Sequence, residues 1–184
     1  NSPRRRELLA GLDVDFFVDT RNNFEESFPE DVPHSQVPAL MSRGKSHGFW
    51  RPLEEGEILL TSDTMVLLDS LIMGKPHSRE EEAQMLHSLS GRTHEVITAV
   101  TLRDCCREET VSDTTKVSFR ELTDEEIDYY IDSCGPYDKA GAYGCQGVAG
   151  LFVERIEGDF FNVVGLPLCR LGRMFSALVY RRSF

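Results

Sequence analysis

The first residues of the chain combine a helix start with positive charge. Ser2 offers a capping hydroxyl, and Pro3 stands where a helix accepts proline most easily, at its first position. Free amides and the helix dipole favour an anion at such an end, and Arg4 and Arg5 add two guanidinium groups. A phosphate group is therefore a candidate ligand here, and a plain helix cap with solvated arginines is the alternative.

A carboxylate follows the apolar run of residues 58–60. The run continues as Thr61-Ser62-Asp63-Thr64. Open α/β sheets place their ligands at the carboxyl ends of buried strands, so Asp63 stands where a carboxylate could bind a metal or move a proton. The alternative is an aspartate that merely starts a turn.

A lysine stands between two residues that restrict the backbone, in Gly74-Lys75-Pro76. The loop therefore sets the direction of the Lys75 ammonium, which could meet a phosphate. Most loop lysines are simply solvated, and this pattern alone does not decide between the two.

Residues 140–147 read Ala-Gly-Ala-Tyr-Gly-Cys-Gln-Gly. The glycines allow the backbone to approach a ligand closely, and Gln146 carries both a hydrogen-bond donor and an acceptor. The spacing matches neither a P-loop nor a dinucleotide fingerprint. A structural glycine-rich turn is the alternative.

Helices and strands that would position these residues alternate along the chain. Helices are predicted for residues 3–9, 35–48 and 167–178, and after the capping boxes Ser78-x-x-Glu81 and Thr123-x-x-Glu126. Strands are predicted for residues 16–18, 58–60, 65–68 and 150–156, with a hairpin formed by residues 93–102 and 110–119. This alternation predicts an α/β protein with a mixed sheet.

The composition excludes several classes of protein. The chain has 184 residues and a formal net charge of −11, which argues against a general nucleic-acid binder. No apolar run approaches the roughly 18 residues that span a bilayer. Five cysteines, an odd number without a metal-binding spacing, are most simply reduced thiols. We therefore expect a cytoplasmic protein with neither nucleic acid nor membrane as partner.

The order of several motifs resembles the Maf proteins, which are nucleoside triphosphate pyrophosphatases also known as septum-formation inhibitors. The segments are Ser2–Leu9, Ser62–Val66, Gly74–Pro76, Leu89–His94, Asp138–Gly147 and Asn162–Pro167. The resemblance implies the fold of inosine triphosphate pyrophosphatases, a twisted mixed sheet flanked by helices in two lobes with a central cleft. It also implies hydrolysis between the α- and β-phosphates with Mg²⁺ or Mn²⁺.

The resemblance also assigns roles to single residues. Asp63 matches the catalytic proton acceptor, and Glu25 with Asp63 supplies oxygen ligands for the metal. The substrate-binding residues implied are Ser2, Arg4, Lys45, Thr64, Lys75 and Gln146. Lys45 and Lys75 among them match phosphate-contacting lysines, whereas Arg4, Thr64 and Gln146 match positions linked to substrate choice. The sequence of the glycine-rich segment, residues 140–147, is similar to that of the family members that act on dTTP and UTP.

Some features depart from the family pattern. Family members begin with an apolar strand before the Ser2 segment, and it is absent here, so we expect one domain over residues 1–184 with an incomplete start. The pairs Leu40-Met41 and Lys45-Ser46 replace Leu-Ala and Lys-Ala. Two alternatives stay open: a sanitising pyrophosphatase for modified nucleotides, and a nucleotide-binding regulator of cell division without turnover. A homodimer is also compatible with the sequence.

Overall fold

The computed structural model describes residues 2–134 and 139–180. Asp138 of the glycine-rich motif lies outside these residues. The helices are α1 (Pro3–Ala10), α2 (Val37–His47), α3 (Arg79–Leu89), α4 (Asp124–Cys134), α5 (Phe160–Val164) and α6 (Leu168–Tyr180). The strands are β1 (Leu59–Leu68), β2 (Leu71–Met73), β3 (Thr93–Arg103), β4 (Glu108–Phe119) and β5 (Val153–Glu157). Short 3-10 helices cover His34–Gln36, Ala140–Ala142 and Gly147–Leu151.

The strands form one antiparallel sheet in the order β2-β1-β3-β4-β5. Val66 pairs with Met73 across β1 and β2, and Lys116 pairs with Glu157 across β4 and β5. The α/β class is confirmed, but the sheet is antiparallel where the sequence suggested a mixed one. The short connections at residues 69–70 and 104–107 account for two of the pairings, β1 with β2 and β3 with β4, because each returns the chain beside the strand it has just left.

Side-chain caps fix the helix starts that the sequence predicted. The Ser78 hydroxyl accepts a hydrogen bond from the Glu81 amide at 3.2 Å. At α4 the box is reciprocal, because Thr123 Oγ1 accepts from the Glu126 amide at 3.3 Å and Glu126 Oε2 accepts from the Thr123 amide at 3.0 Å. Each such cap stabilises a helix by about 1 kcal/mol, which explains why both capping boxes predicted helices correctly.

The predicted strand at residues 16–18 is wrong. Residues 14–20 have no regular secondary structure, and Phe17 is 75% exposed. A run of β-favouring side chains forms a strand only when a partner strand supplies hydrogen bonds and a face to pack against. This segment pairs with no other strand within the described ranges.

The chain divides into two compact units. Unit 1 comprises residues 1–63, 98–113 and 165–184, and unit 2 comprises residues 64–97 and 114–164. Unit 1 has an apolar core of Val100, Leu102, Leu166, Leu171 and Met174. The larger core of unit 2 includes Val66, Leu86, Leu89, Val96, Phe119, Ile127, Tyr130, Tyr143 and Phe152. The single domain over residues 1–184 stays a prediction.

Membrane-spanning helices were not expected from the sequence. Within residues 2–134 and 139–180, none of the helices has both the length and the apolar character that crossing a bilayer requires.

Candidate active site

Asp63 meets Lys45 in unit 1. Asp63 belongs to β1, and Lys45 lies in the last turn of α2. Lys45 Nζ donates to Asp63 Oδ1 at 2.6 Å, and the two side chains are 23% and 18% exposed. The structure therefore brings together the two residues that the sequence assigned to proton transfer and to phosphate binding.

A second carboxylate reaches the same ammonium group. Glu26 Oε1 lies 3.0 Å from Lys45 Nζ, whereas its neighbour Glu25 is exposed and makes no ion pair with any residue in the described ranges. Sequence reasoning selected Glu25 and missed Glu26. Both residues lie in a segment without regular secondary structure, so no helix or strand period could indicate which carboxylate turns toward Lys45.

Buried hydroxyl groups fix α2 against β1. The Ser42 hydroxyl donates to the Thr61 carbonyl at 3.1 Å, and the Thr61 hydroxyl donates to the Ser42 carbonyl at 2.8 Å. Ser42 Oγ also lies 2.9 Å from Thr101 Oγ1 on β3. Since Lys45 stands one helical turn after Ser42 and Asp63 two residues after Thr61, these bonds set the distance at which the ammonium meets the carboxylate.

Arg5 of α1 holds a guanidinium near Asp63. Its Nη1 donates to the Ser62 carbonyl at 2.9 Å, and its Nε donates to the Gly165 carbonyl at 2.7 Å. Burial lowers the pKa of Arg5 to about 10, with the negative charge of Asp63 acting in the opposite direction. Arg5 therefore remains a cation at neutral pH, fixed by two carbonyl groups.

The predicted residues Ser2 and Arg4 flank this position. Ser2 caps α1 by accepting a hydrogen bond from the Arg5 amide at 3.4 Å, and Arg4 is half-buried. The sequence did not indicate which of Arg4 and Arg5 would face Asp63. Adjacent residues on a helix point in different directions, and only the packing of the helix determines which one faces the site. The structure gives Arg5 the fixed position near Asp63.

The other predicted residues belong to unit 2. Thr64 follows Asp63 on β1 and is half-buried, and Lys75 is exposed, next to the buried Pro76. The carbonyl of Gly74 accepts a hydrogen bond from the Gly141 amide at 3.0 Å. The loop that carries Lys75 is thereby tied to the glycine-rich segment of residues 139–147.

Gln146 lies at the end of that segment, with its side chain exposed. It precedes the short helix Gly147–Leu151, and its carboxamide makes no capping hydrogen bond there. Upstream, Gly141 has a φ of 72°, and a Cβ at this position would lie 3.0 Å from Val66 Cγ1. Glycine is needed for this close approach of the backbone to Val66.

Tyr143 anchors the same segment from inside the core of unit 2. Its hydroxyl lies 2.7 Å from His94 Nε2, and the two side chains are 5% and 1% exposed. Burial lowers the pKa of His94 from 6.5 to about 4, because a charged ring would lose its hydration. His94 is therefore neutral at physiological pH.

The lowered pKa of His94 predicts that the protein loses stability in mild acid. Between pH 6.5 and about pH 4 the unfolded chain binds a proton on His94 that the folded chain does not. The free energy of unfolding should therefore fall as the pH is lowered through this window, by up to about 3 kcal/mol from this group. Urea unfolding at a series of pH values measures it.

His94→Phe should show a weaker dependence of stability on pH than the parent protein, whatever its stability at pH 7. His87→Gln, which removes an exposed histidine, is the matched control and should keep the parent's dependence. Identical dependences for the parent and His94→Phe would show that His94 does not cause the loss.

The arrangement in unit 1 suits phosphate chemistry. A carboxylate placed beside a buried guanidinium and a lysine can accept a proton while the cations attract a phosphate. The family model described as Maf-like protein matches residues 1–178, nearly the whole chain. The chain belongs to the Maf-like protein family. The resemblance noted from the motifs is thereby confirmed.

Three curated relatives of this Maf-like protein are named dTTP/UTP pyrophosphatase. A dTTP/UTP pyrophosphatase of Phocaeicola vulgatus is 44% identical over 172 residues, which cover 93% of this chain and 89% of the relative. A dTTP/UTP pyrophosphatase of Bacteroides thetaiotaomicron is 43% identical over 172 residues, with the same coverage. A dTTP/UTP pyrophosphatase of Thermotoga maritima is 46% identical over 168 residues, covering 91% of this chain and 81% of the relative.

Proposed function

We propose that this Maf-like protein hydrolyses dTTP and UTP to the nucleoside monophosphate and pyrophosphate. The observation that carries the proposal is the high identity, over more than nine tenths of the chain, to relatives named dTTP/UTP pyrophosphatase. The cluster of Asp63, Lys45 and Arg5 supports it, since this reaction needs a proton acceptor and fixed positive charge.

Asp63 is assigned to proton transfer. A water molecule attacks the α-phosphorus in line with the leaving group, and its proton passes to the Asp63 carboxylate. A bond forms between the water oxygen and the α-phosphorus, and the bond from that phosphorus to the oxygen bridging it to the β-phosphorus breaks. The electron pair of the broken bond leaves with pyrophosphate.

Lys45 and Arg5 provide the positive charge in unit 1. Lys45 Nζ contacts Asp63 and Glu26 together, so its ammonium keeps a fixed place between two carboxylates. The Arg5 guanidinium is held in a fixed position by its hydrogen bonds to two backbone carbonyls. Cations fixed in advance stabilise developing phosphate charge at little cost in reorganisation.

Two carboxylates near Lys45 supply oxygen atoms of the kind that a divalent cation binds. Asp63 and Glu26 both contact Lys45 Nζ, at 2.6 and 3.0 Å, so an ion held by the two would take the place that the ammonium group now occupies. Mg²⁺ and Mn²⁺ prefer oxygen ligands, and Mg²⁺ commonly needs only one or two carboxylates. We propose Asp63 with Glu26 as ligands, and the family resemblance keeps Glu25 as a further candidate. A bound ion would neutralise phosphate charge and stabilise the leaving pyrophosphate.

Gln146 and Lys75 in unit 2 are assigned to substrate recognition. The carboxamide of Gln146 can accept a hydrogen bond from N3–H of uracil or thymine and donate one to O4. The amide could also turn over to match cytosine, so another group must fix its orientation. Lys75 is assigned to the β- and γ-phosphates, and Ser2, Arg4 and Thr64 are kept as substrate contacts that the resemblance implies.

Lys75→Ala should weaken triphosphate binding and leave monophosphate binding nearly unchanged. A charge-assisted hydrogen bond contributes about 1.5–3 kcal/mol, so we expect roughly 10- to 100-fold weaker binding of UTP. Calorimetry with UTP and UMP measures both affinities. Lys116→Ala, which removes an exposed lysine of β4, is the matched control. Equal losses for UTP and UMP would place Lys75 away from the leaving group.

The cytosol is the proposed compartment, with a homodimer kept as a prediction. Cys105, Cys106, Cys145 and Cys169 form no disulfide within the described residues, and Cys105 Sγ and Cys106 Sγ are hydrogen-bonded at 3.4 Å. Free thiols are typical of proteins that work in a reducing compartment.

The proposed function is tested by measuring pyrophosphate release from a panel of nucleotides with Mg²⁺ or Mn²⁺ present. We expect dTTP and UTP to be hydrolysed fastest. Modified nucleotides hydrolysed faster than both would favour the sanitising enzyme, and tight binding without release would favour a regulator of cell division.

A further inference from the structure

A buried hydrogen bond joins β3 to the segment that carries Gln146. His94 of β3 and Tyr143 approach within 2.7 Å, with their rings edge to face at a centroid distance of 5.3 Å. Phe119 packs edge to face on both rings, at 5.1 Å from His94 and 4.8 Å from Tyr143. The aromatic packing fixes the place of each ring, and the hydrogen bond fixes how the Tyr143 hydroxyl is directed.

The hydrogen bond between His94 and Tyr143 lies in an apolar environment that keeps both side chains uncharged. His94 Nδ1 is buried and makes no hydrogen bond within the described part of the chain. Burial keeps the His94 ring neutral and raises the pKa of Tyr143 well above its ordinary value, so both groups stay uncharged. Loss of either partner would leave the other polar atom buried and unpaired, which is the costly way to lose a hydrogen bond.

The backbone before Tyr143 needs such an anchor. Gly141 and Ala142 both have positive φ values, 72° and 66°, and Ala142 carries a side chain that disfavours this conformation. Conformations of this kind persist only where the surrounding structure holds them. The contacts that do so here include the Gly141 amide on the Gly74 carbonyl, the Ala142 amide on the Lys139 carbonyl, and Tyr143 on His94.

We propose that His94 and Tyr143 are positioning residues for base selectivity, because their hydrogen bond holds residues 139–147 so that Gln146 reaches the base from one place. The inference rests on the proposed function. Gln146 stands three residues after Tyr143, and its own side chain makes no capping bond that could fix it. The direction of its carboxamide therefore depends on the backbone that Tyr143 anchors.

The kinetic test compares Tyr143→Phe and His94→Phe with the parent protein on UTP and CTP. Each variant should raise KM for UTP about 10-fold with kcat nearly unchanged, the pattern expected when binding alone is weakened. The preference for UTP over CTP should shrink by the same factor. The double variant should lose no more than either single variant, because both remove one interaction.

Tyr130→Phe is the matched control. Tyr130 is 3% exposed and belongs to the same apolar core, but it lies on α4, outside residues 139–147. It should keep the parent's KM and preference. An unchanged preference in Tyr143→Phe, an equal loss for UTP and CTP, or additive losses in the double variant would overturn the proposal.

Amide hydrogen exchange separates this inference from the proposed function. In Tyr143→Phe the amides of residues 139–147 should exchange faster than in the parent, whereas those of α3 should not change. If the parent protein hydrolyses no nucleotide, the proposed function is wrong. The exchange rates of the amides of residues 139–147 still show whether the hydrogen bond between His94 and Tyr143 holds that segment. Unchanged exchange in residues 139–147 would overturn the inference whatever the turnover.

Discussion

Asp63→Asn is expected to lower the turnover of dTTP and UTP by about 100-fold or more, as is usual for the loss of acid–base catalysis. Asparagine has nearly the same shape but cannot accept the proton of the attacking water. Lys45 keeps its contact with Glu26, and the amide oxygen of asparagine can still face a metal ion, so folding and nucleotide affinity at saturating Mg²⁺ should change little. Steady-state pyrophosphate release at saturating nucleotide and Mg²⁺ measures the effect.

Asp113→Asn is the matched control for this substitution. Asp113 is also a strand carboxylate of unit 1, it is paired with Arg170, and at 19% its side chain is as exposed as the 18% of Asp63. It should keep normal turnover. Near-normal turnover in Asp63→Asn, or an equal loss in both variants, would contradict the assignment of Asp63 to proton transfer.

Gln146→Ala is expected to lower kcat/KM for UTP and dTTP by about 10- to 100-fold, since a lost hydrogen bond to a base edge costs roughly 1–3 kcal/mol. Activity on CTP and on purine triphosphates should change much less, so the preference among bases flattens. Initial rates with the four ribonucleoside triphosphates and dTTP measure both quantities.

Gln84→Ala, which removes an exposed carboxamide from α3, is the control for a general effect of losing such a side chain. It should leave the preference intact. If Gln146→Ala slows hydrolysis of every nucleotide by one factor, Gln146 supports its loop and does not read the base.

Much of the fold could be predicted because short-range chemistry determines it. Both helices begin where the capping boxes indicated, since a Ser or Thr hydroxyl accepts from the Glu amide three residues later. The full box formed only at α4, because the Glu81 carboxylate at α3 accepts from the His77 amide and not from Ser78. The β3–β4 hairpin was also predicted, because its alternating strands are joined by a short charged turn.

Features that depend on packing could not be predicted in the same way. The antiparallel pairing of β1 with β2 depends on the two-residue turn at Asp69-Ser70, and the short strand β2 was not among the strands predicted from the sequence. The strand expected at residues 16–18 lacked a partner. Strand pairing joins residues distant in sequence, so local patterns do not determine it.

The sequence selected some of the residues that the structure brings together, and their roles stay predictions. Asp63 and Lys45 were both selected, and the structure joins them by an ion pair. Glu26 and Arg5 each stand beside a residue of the same charge. Which of the two neighbouring side chains reaches Asp63 or Lys45 depends on how the irregular segment around Glu26 and the short helix α1 pack. That packing is tertiary structure, which a local sequence pattern does not determine.

Attack of water on the α-phosphorus can be followed by hydrolysing UTP in water labelled with heavy oxygen. Mass spectrometry of the products locates the label. We expect UMP carrying one labelled oxygen together with unlabelled pyrophosphate. Label in the pyrophosphate, or release of UDP and inorganic phosphate, would contradict this expectation.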